Sequence, residues 1–141
     1  MNEKNTDTLQ QELMSTNNLD RFLTENDASF RDVPLQEAIQ RIFDEKGMSK
    51  AQLAKQSGIS EVYLHQVFAG RRNPSRDRLL CICVGLGITL DETQRMLTRG
   101  GYAQLYPRTR RDAIISYGVV HQLPLGEIND KLFAEQEKTL F

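Results

Sequence analysis

Signals that start α-helices and signals that end them alternate at short spacing through the middle of this 141-residue chain. Ser49, Ser60 and Thr89 are residue types that cap helix N-termini, and each precedes a run with apolar residues three and four apart. Gly47 and Gly58 are suited to the left-handed backbone that ends helices. Since no stretch alternates convincingly with period two, the sequence predicts an all-α fold without a sheet.

The caps divide residues 34–99 into five predicted helices. Pro34 suits the first turn of the first helix, and two capping boxes, Ser49 to Gln52 and Thr89 to Glu92, start the second and the fifth. Ser60 starts the third helix, and Pro74 with Ser75 opens the fourth. The apolar residues expected to face the core are Leu35, Ala38, Ile39, Ile42 and Phe43, then Leu53 and Ala54, then Leu64, Val67 and Phe68, then Leu79, Leu80, Ile82 and Val84, and finally Leu90, Met96 and Leu97.

The C-terminal part of the chain repeats the pattern that precedes it. Residues 76–106 align with residues 111–141 at a constant offset of 35, with matching helix starts and apolar phase. The identical pairs are Arg76/Arg111, Asp77/Asp112, Val84/Val119, Leu90/Leu125, Glu92/Glu127, Leu97/Leu132 and Leu105/Leu140. This alignment predicts a repeated two-helix hairpin, and we expect the C-terminal segment that contains the second copy, residues 100–141, to pack on the first.

Charge is distributed unevenly along the chain, although the net charge is only −1. Residues 1–33 are polar and acidic, and we expect a mostly disordered arm with one short turn near Leu19, Phe22 and Leu23. Residues 34–111 carry 13 basic and seven acidic side chains, so an anionic partner would dock in the middle of the chain. A pI near 6.1 argues against a general polyanion binder, and any DNA binding must come from a local patch.

Residues 35–99 resemble the XRE-type, Cro- and lambda-repressor-like family of helix-turn-helix regulators. The resemblance rests on Leu53-Ala54, then Ser57-Gly58-Ile59-Ser60, then Leu64 and Val67. The loop from Gly70 to Ser75, with its Arg72 and Pro74, is similar to the one that commonly follows the recognition helix in this family. The resemblance implies a five-helix DNA-binding domain at residues 34–99, with the third helix (residues 60–69) in the major groove of double-stranded DNA.

The same resemblance assigns roles to individual side chains. It implies base reading by Glu61, Val62, Tyr63, His65 and Gln66, and phosphate contacts by Lys50 on one side and by Arg71, Arg72 and Arg76 on the other. Gln66 suits adenine and Val62 suits a thymine methyl group. The recognition helix departs from strong DNA readers because it lacks Lys and Arg. Glu61 either reads a cytosine amino group or only stabilises the N-terminus of its helix.

A second basic cluster, Arg108, Arg110 and Arg111, lies in the loop that the repeat makes equivalent to residues 71–76. It is a phosphate contact, a solvated loop before a helix, or a docking point for an acidic partner. His121 is expected to end a helix, where a positive charge suits the helix dipole. Cys81 and Cys83 lie in an apolar run and are expected to be buried and reduced.

The sequence contains no set of side chains typical of catalysis, and we predict no enzyme activity, no metal and no cofactor. Gly85-Leu86-Gly87 follows a predicted helix, so it is no dinucleotide fingerprint. No apolar run approaches the roughly 20 residues of a membrane helix, and a cytoplasmic location is expected. Two functions stay open, a sequence-specific transcriptional regulator and an adaptor in which the third helix or the C-terminal hairpin binds a protein partner. The apolar end at Phe133, Leu140 and Phe141 either seals the core or forms a homodimer interface.

Overall fold

The computed structural model describes residues 6–15, 18–20 and 33–141, and every regular element in these ranges is an α-helix. The chain separates into two units, Met1–Val33 and Pro34–Phe141. The first unit contains α1 (Thr6–Ser15), which has no buried residue. The second unit contains α2 (Leu35–Lys46), α3 (Lys50–Ser57), α4 (Glu61–Phe68), α5 (Arg76–Leu86), α6 (Leu90–Arg99), α7 (Arg110–Val120) and α8 (Leu125–Ala134). The all-α prediction is confirmed.

The described part of residues 1–33 differs from the predicted, mostly disordered arm. Helix α1 is an ordered element that the polar composition of residues 1–33 did not predict. Of the residues expected to form a short turn, Leu19 is exposed, whereas Phe22 and Leu23 lie outside the described residues.

The predicted caps set the helix ends. The hydroxyls of Ser49, Ser60 and Ser75 each accept a hydrogen bond from a backbone N–H three residues on. Thr89 forms a complete capping box with Glu92, whereas Ser49 has only the serine half of the predicted box. Each hydroxyl satisfies a backbone donor that has no partner within its own helix.

The helix-turn-helix consists of α3 and α4, joined through Gly58. Gly58 has a φ of +66°, which a glycine adopts without the steric cost of a Cβ atom. Leu53 of α3 and Leu64 of α4 are fully buried. Helix α3 also crosses α5 closely, since a Cβ atom on Gly85 would lie 2.9 Å from the Cβ of Ser57. These contacts fix the position of α4 relative to the rest of the unit.

Matching hydrogen bonds occur in the two helix pairs of the predicted repeat, α5–α6 and α7–α8. The side-chain oxygen of Gln94 accepts a bond from the backbone N–H of Leu105 at 2.7 Å, and Asn129 accepts one from Leu140 at the same distance. Both pairs are related by the offset of 35. The Arg76 guanidinium donates to the carbonyls of residues 103 and 104, and Arg111 donates to those of residues 138 and 139.

The two hairpins also contact each other reciprocally. Arg76 forms an ion pair with Asp112 at 3.1 Å, and Arg111 forms one with Asp77 at 3.1 Å. Likewise α5 contacts α8, and α6 contacts α7. In a two-fold arrangement each contact occurs twice: if residue i contacts residue j, the counterpart of i contacts the counterpart of j. The two hairpins are therefore related by an approximate two-fold axis within one chain.

The C-terminal tail closes the core on one side. Leu140 is buried, and its carbonyl accepts a bond from the Cys81 thiol at 3.6 Å. The ring of Phe141 lies beside the Gly58 turn, although most of that side chain is exposed. Phe133 is 80% exposed. Of the two predicted roles for this end, sealing the core applies to Leu140.

Both cysteines are free and buried, as the sequence predicted. Burial, with a smaller contribution from the nearby Asp77 carboxylate, raises the pKa of the Cys81 thiol to about 11. Burial raises the pKa of the Cys83 thiol to about 12. Because the thiolate is the reactive form, neither side chain is a nucleophile near neutral pH.

Candidate nucleic-acid interface

Helix α4 presents one continuous exposed face to solvent. Glu61, Val62 and His65 are exposed, Gln66 is half-buried, and Val62 is 68% exposed despite being apolar. At 100° per residue these four positions cluster on one side of the helix. Four of the five residues predicted to read bases thus share one accessible face.

Tyr63, the fifth predicted base reader, lies at the edge of that face and is only 8% exposed. Its ring instead holds two guanidinium groups, with the central carbon of Arg72 5.0 Å from the ring centroid and that of Arg78 4.6 Å away. Such cation–π contacts fix otherwise flexible side chains. Tyr63 is therefore better placed to orient cations than to touch bases.

Lys50 lies at the opposite edge of the face. Its ammonium nitrogen is 3.3 Å from Nδ1 of His65 and 5.5 Å from the centroid of the Phe68 ring. On a helical wheel Phe68 and Tyr63 bound the exposed face of α4 on its two sides. A cation therefore lies over an aromatic ring at each edge of the face.

The contact with Lys50 determines which nitrogen of His65 carries the proton in the neutral ring. A lysine ammonium can only donate hydrogen bonds, so Nδ1 of His65 must accept one. The hydrogen of the neutral imidazole then resides on Nε2, which becomes a donor. The exposed face consequently offers an N–H donor from His65 in addition to the amide of Gln66.

Of the arginines predicted to hold phosphate, Arg71 and Arg72 are exposed next to the end of α4. Arg76 is not available in the same way. Its guanidinium donates to the carbonyls of Ala103 and Gln104 and to the Asp112 carboxylate, with which it forms the ion pair described above. Four of its five N–H donors are used in these contacts, so Arg76 is less suited than Arg71 and Arg72 to hold phosphate.

Arg78 lies with Arg72 over the ring of Tyr63, at that edge of the exposed face of α4. The sequence shows Arg78 only as one more arginine in a helix, and its link to Tyr63 depends on the turn between α4 and α5. No pattern of spacing would have revealed this contact.

The second basic cluster is divided in the structure. Arg108 is exposed, Arg110 forms an exposed ion pair with Glu135 at 3.3 Å, and Arg111 is bound to Asp77 and the C-terminal tail. His121 follows the last residue of α7, as predicted for a helix end. Among the described residues no group of three or more His, Cys, Asp or Glu side chains could hold a metal ion. Nor is any helix in those residues sufficiently long and apolar to cross a membrane.

A comparison with protein families identifies a helix-turn-helix match at residues 39–93. The match begins within α2 and ends within α6, and it includes all of α3, α4 and the arginine loop. Searches of curated proteins and of solved structures return no match. The family is one of DNA-binding regulators. The match at residues 39–93 agrees with the resemblance of this segment to XRE-type helix-turn-helix regulators.

Proposed function

We propose that this protein is a sequence-specific DNA-binding transcriptional regulator that inserts the exposed face of α4 into the major groove. The main support for the proposal is that cationic side chains lie over aromatic rings at both edges of that face. Lys50 lies over Phe68 at one edge, and Arg72 and Arg78 lie over Tyr63 at the other. A helix in the major groove lies between two phosphate backbones, so cations are needed on both of its sides. The net charge of −1 is no obstacle, because phosphate binding depends on this local arrangement.

In this proposal the phosphates are contacted by Lys50, Arg71, Arg72 and Arg78. The N-terminal end of α3, next to Lys50, adds backbone N–H donors that favour an anion. Lys50 has three donors, so its contact with His65 leaves others for phosphate oxygens.

Bases are read by the exposed face itself. Gln66 pairs with adenine through its amide, and Val62 contacts a thymine methyl group. His65 donates its single Nε2–H to N7 of guanine, a contact that partly compensates for the absence of arginine from α4. Glu61 is assigned to its helix N-terminus, where a negative charge is stabilising.

The phosphate role is tested by replacing Arg71 and Arg72 together with alanine. Affinity should fall similarly for all duplexes. The slope of the logarithm of the binding constant against the logarithm of the salt concentration should become less steep by about 0.9 for each phosphate that the variant no longer neutralises. The matched control, Arg108→Ala with Arg110→Ala, removes the same charge from the second hairpin and should leave the slope unchanged. A wild-type slope in a folded Arg71/Arg72 variant would contradict the phosphate role.

The base-reading role is tested at two positions of the best site. Gln66→Ala should relax the preference at an A·T pair and His65→Ala at a G·C pair, each costing about 1–3 kcal/mol. Replacing that guanine by 7-deazaguanine, which lacks the N7 acceptor, should weaken the wild type but not His65→Ala. His121→Ala is the matched control, since His121 lies at the end of α7. Identical site preferences for His65→Ala and the wild type would refute the guanine assignment.

A further inference from the structure

The second hairpin carries an apolar groove of about 580 Å³ along α7 and α8. Ile114 and Tyr117 of α7 and Leu123 of the connecting loop contribute its apolar surface. Tyr117 is 61% exposed, and its ring rests on that of His121 with the centroids 4.2 Å apart. Ile114 and Leu123 are half-buried, so the groove leaves part of its apolar lining open to solvent.

The internal repeat shows what covers the same face of the first hairpin. At the offset of 35, Ile114, Tyr117 and Leu123 correspond to Leu79, Ile82 and Ile88. Those three residues are 0%, 0% and 2% exposed. Helix α2, whose apolar side includes Ile39 and Phe43, packs against both α5 and α6. The face of the first hairpin is therefore buried, and α2 is among the helices that pack on that hairpin, whereas the equivalent face of the second hairpin is open.

We propose that the groove of the second hairpin binds one amphipathic α-helix from a partner protein, in the manner in which the first hairpin holds α2. Its size favours a single helix over a second copy of the chain. Nine residues line the groove, whereas a stable protein–protein interface uses about 20–30 residues on each side. A helix that places apolar residues at i, i+4 and i+7 or i+8 in a groove needs no larger surface.

Charge determines the direction in which that helix binds. At the open end of the hairpin, Arg110 and Lys131 share the single carboxylate of Glu135, at 3.3 and 3.2 Å, which leaves a positive excess. Glu127 lines the other end, next to the loop between α7 and α8. The complementary helix has an acidic residue in its first turn, facing Arg110 and Lys131, and a basic residue in its last turn, facing Glu127. Helix dipoles favour the same distribution of charge.

The chain itself contains a helix of this description. Helix α2 has Glu37 in its first turn, Lys46 in its last turn and an apolar side between them. A synthetic peptide of residues 34–47, acetylated and amidated, is therefore a defined probe for the open groove. The site of α2 is already filled within the folded chain, so added peptide does not compete for it.

The test is a titration of the isotopically labelled full-length protein with this peptide, followed by amide chemical shifts without DNA. We expect shifts concentrated at Ile114, Tyr117 and Leu123, with saturation at submillimolar to millimolar peptide. Tyr117→Glu should weaken binding at least tenfold, and its exposure makes it compatible with folding. The matched control is Phe133→Glu, which changes an exposed aromatic residue that does not line the groove and should leave binding unchanged.

Three outcomes would overturn the proposal. The first is an absence of shifts at these residues up to millimolar peptide. The second is equal binding by the Tyr117 and Phe133 variants, which would place the peptide elsewhere. The third is a full-length dimer in sedimentation that Tyr117→Glu converts to monomer, which would identify a second copy as the occupant. None of these results depends on whether α4 binds DNA.

Discussion

Asp112→Ala is expected to lower the free energy of unfolding by about 3 kcal/mol. Asp112 is buried, and it accepts hydrogen bonds from the Arg76 guanidinium and from the backbone N–H of Tyr106. Removing one partner of a buried ion pair costs about 3–5 kcal/mol, because the other charge is left without compensation. We expect the lower end of that range since Arg76 is only half-buried. Urea unfolding followed by circular dichroism measures the effect.

A double-mutant cycle separates the ion pair from other effects of the two changes. Arg76→Ala and Asp112→Ala together should cost less than the sum of the single changes, by about 1 kcal/mol or more. Glu37→Ala provides a control, since its i,i+4 ion pair with Arg41 is exposed and should contribute at most about 0.5 kcal/mol. If Asp112→Ala cost as little as Glu37→Ala, the reciprocal pairs would not hold the hairpins together.

The second large effect is expected within α4 itself. Leu64 is fully buried between α4 and the rest of the domain, so Leu64→Ala should lower the free energy of unfolding by about 2–5 kcal/mol. Gln66→Ala changes the same helix on its accessible side and should alter stability by less than about 0.5 kcal/mol. Comparing the two variants thus distinguishes a residue that stabilises the fold from a residue on the exposed face of α4. Equal destabilisation by both changes would mean that the orientation of α4 is wrong.

Local signals predicted most of the fold. Caps such as Ser60 and left-handed glycines such as Gly58 depend on neighbouring residues, so the sequence displays them directly. The repeat could also be predicted, because two hairpins that bury equivalent faces carry apolar residues at equivalent positions. Helix α1 was missed since few of its residues are apolar and none is buried.

The candidate site was predicted less completely, because its side chains depend on partners distant in the sequence. Arg76 resembles a phosphate-binding arginine locally, but its carboxylate partner lies 36 residues away. The contact of Lys50 with His65 spans 15 residues across the helix-turn-helix. Tyr63 was predicted to read bases, yet it is buried beneath two guanidinium groups, an arrangement that follows from the path of the chain after α4.

The unfilled face of the second hairpin was beyond sequence reasoning for a related reason. The alignment at an offset of 35 shows that Ile114 and Leu123 are apolar like their counterparts Leu79 and Ile88. It does not show that helices cover one copy and leave the other open, because that depends on which elements precede each hairpin in space.

The most direct test of the central claim is selection of binding sites by the full-length protein from a pool of random duplexes. We predict enrichment of one motif that contains an A·T pair dependent on Gln66 and a G·C pair dependent on His65. The enriched motif should lose information at those two pairs when Gln66→Ala and His65→Ala are used in the selection. A folded protein that enriches no sequence above the starting pool would contradict the claim that α4 reads DNA.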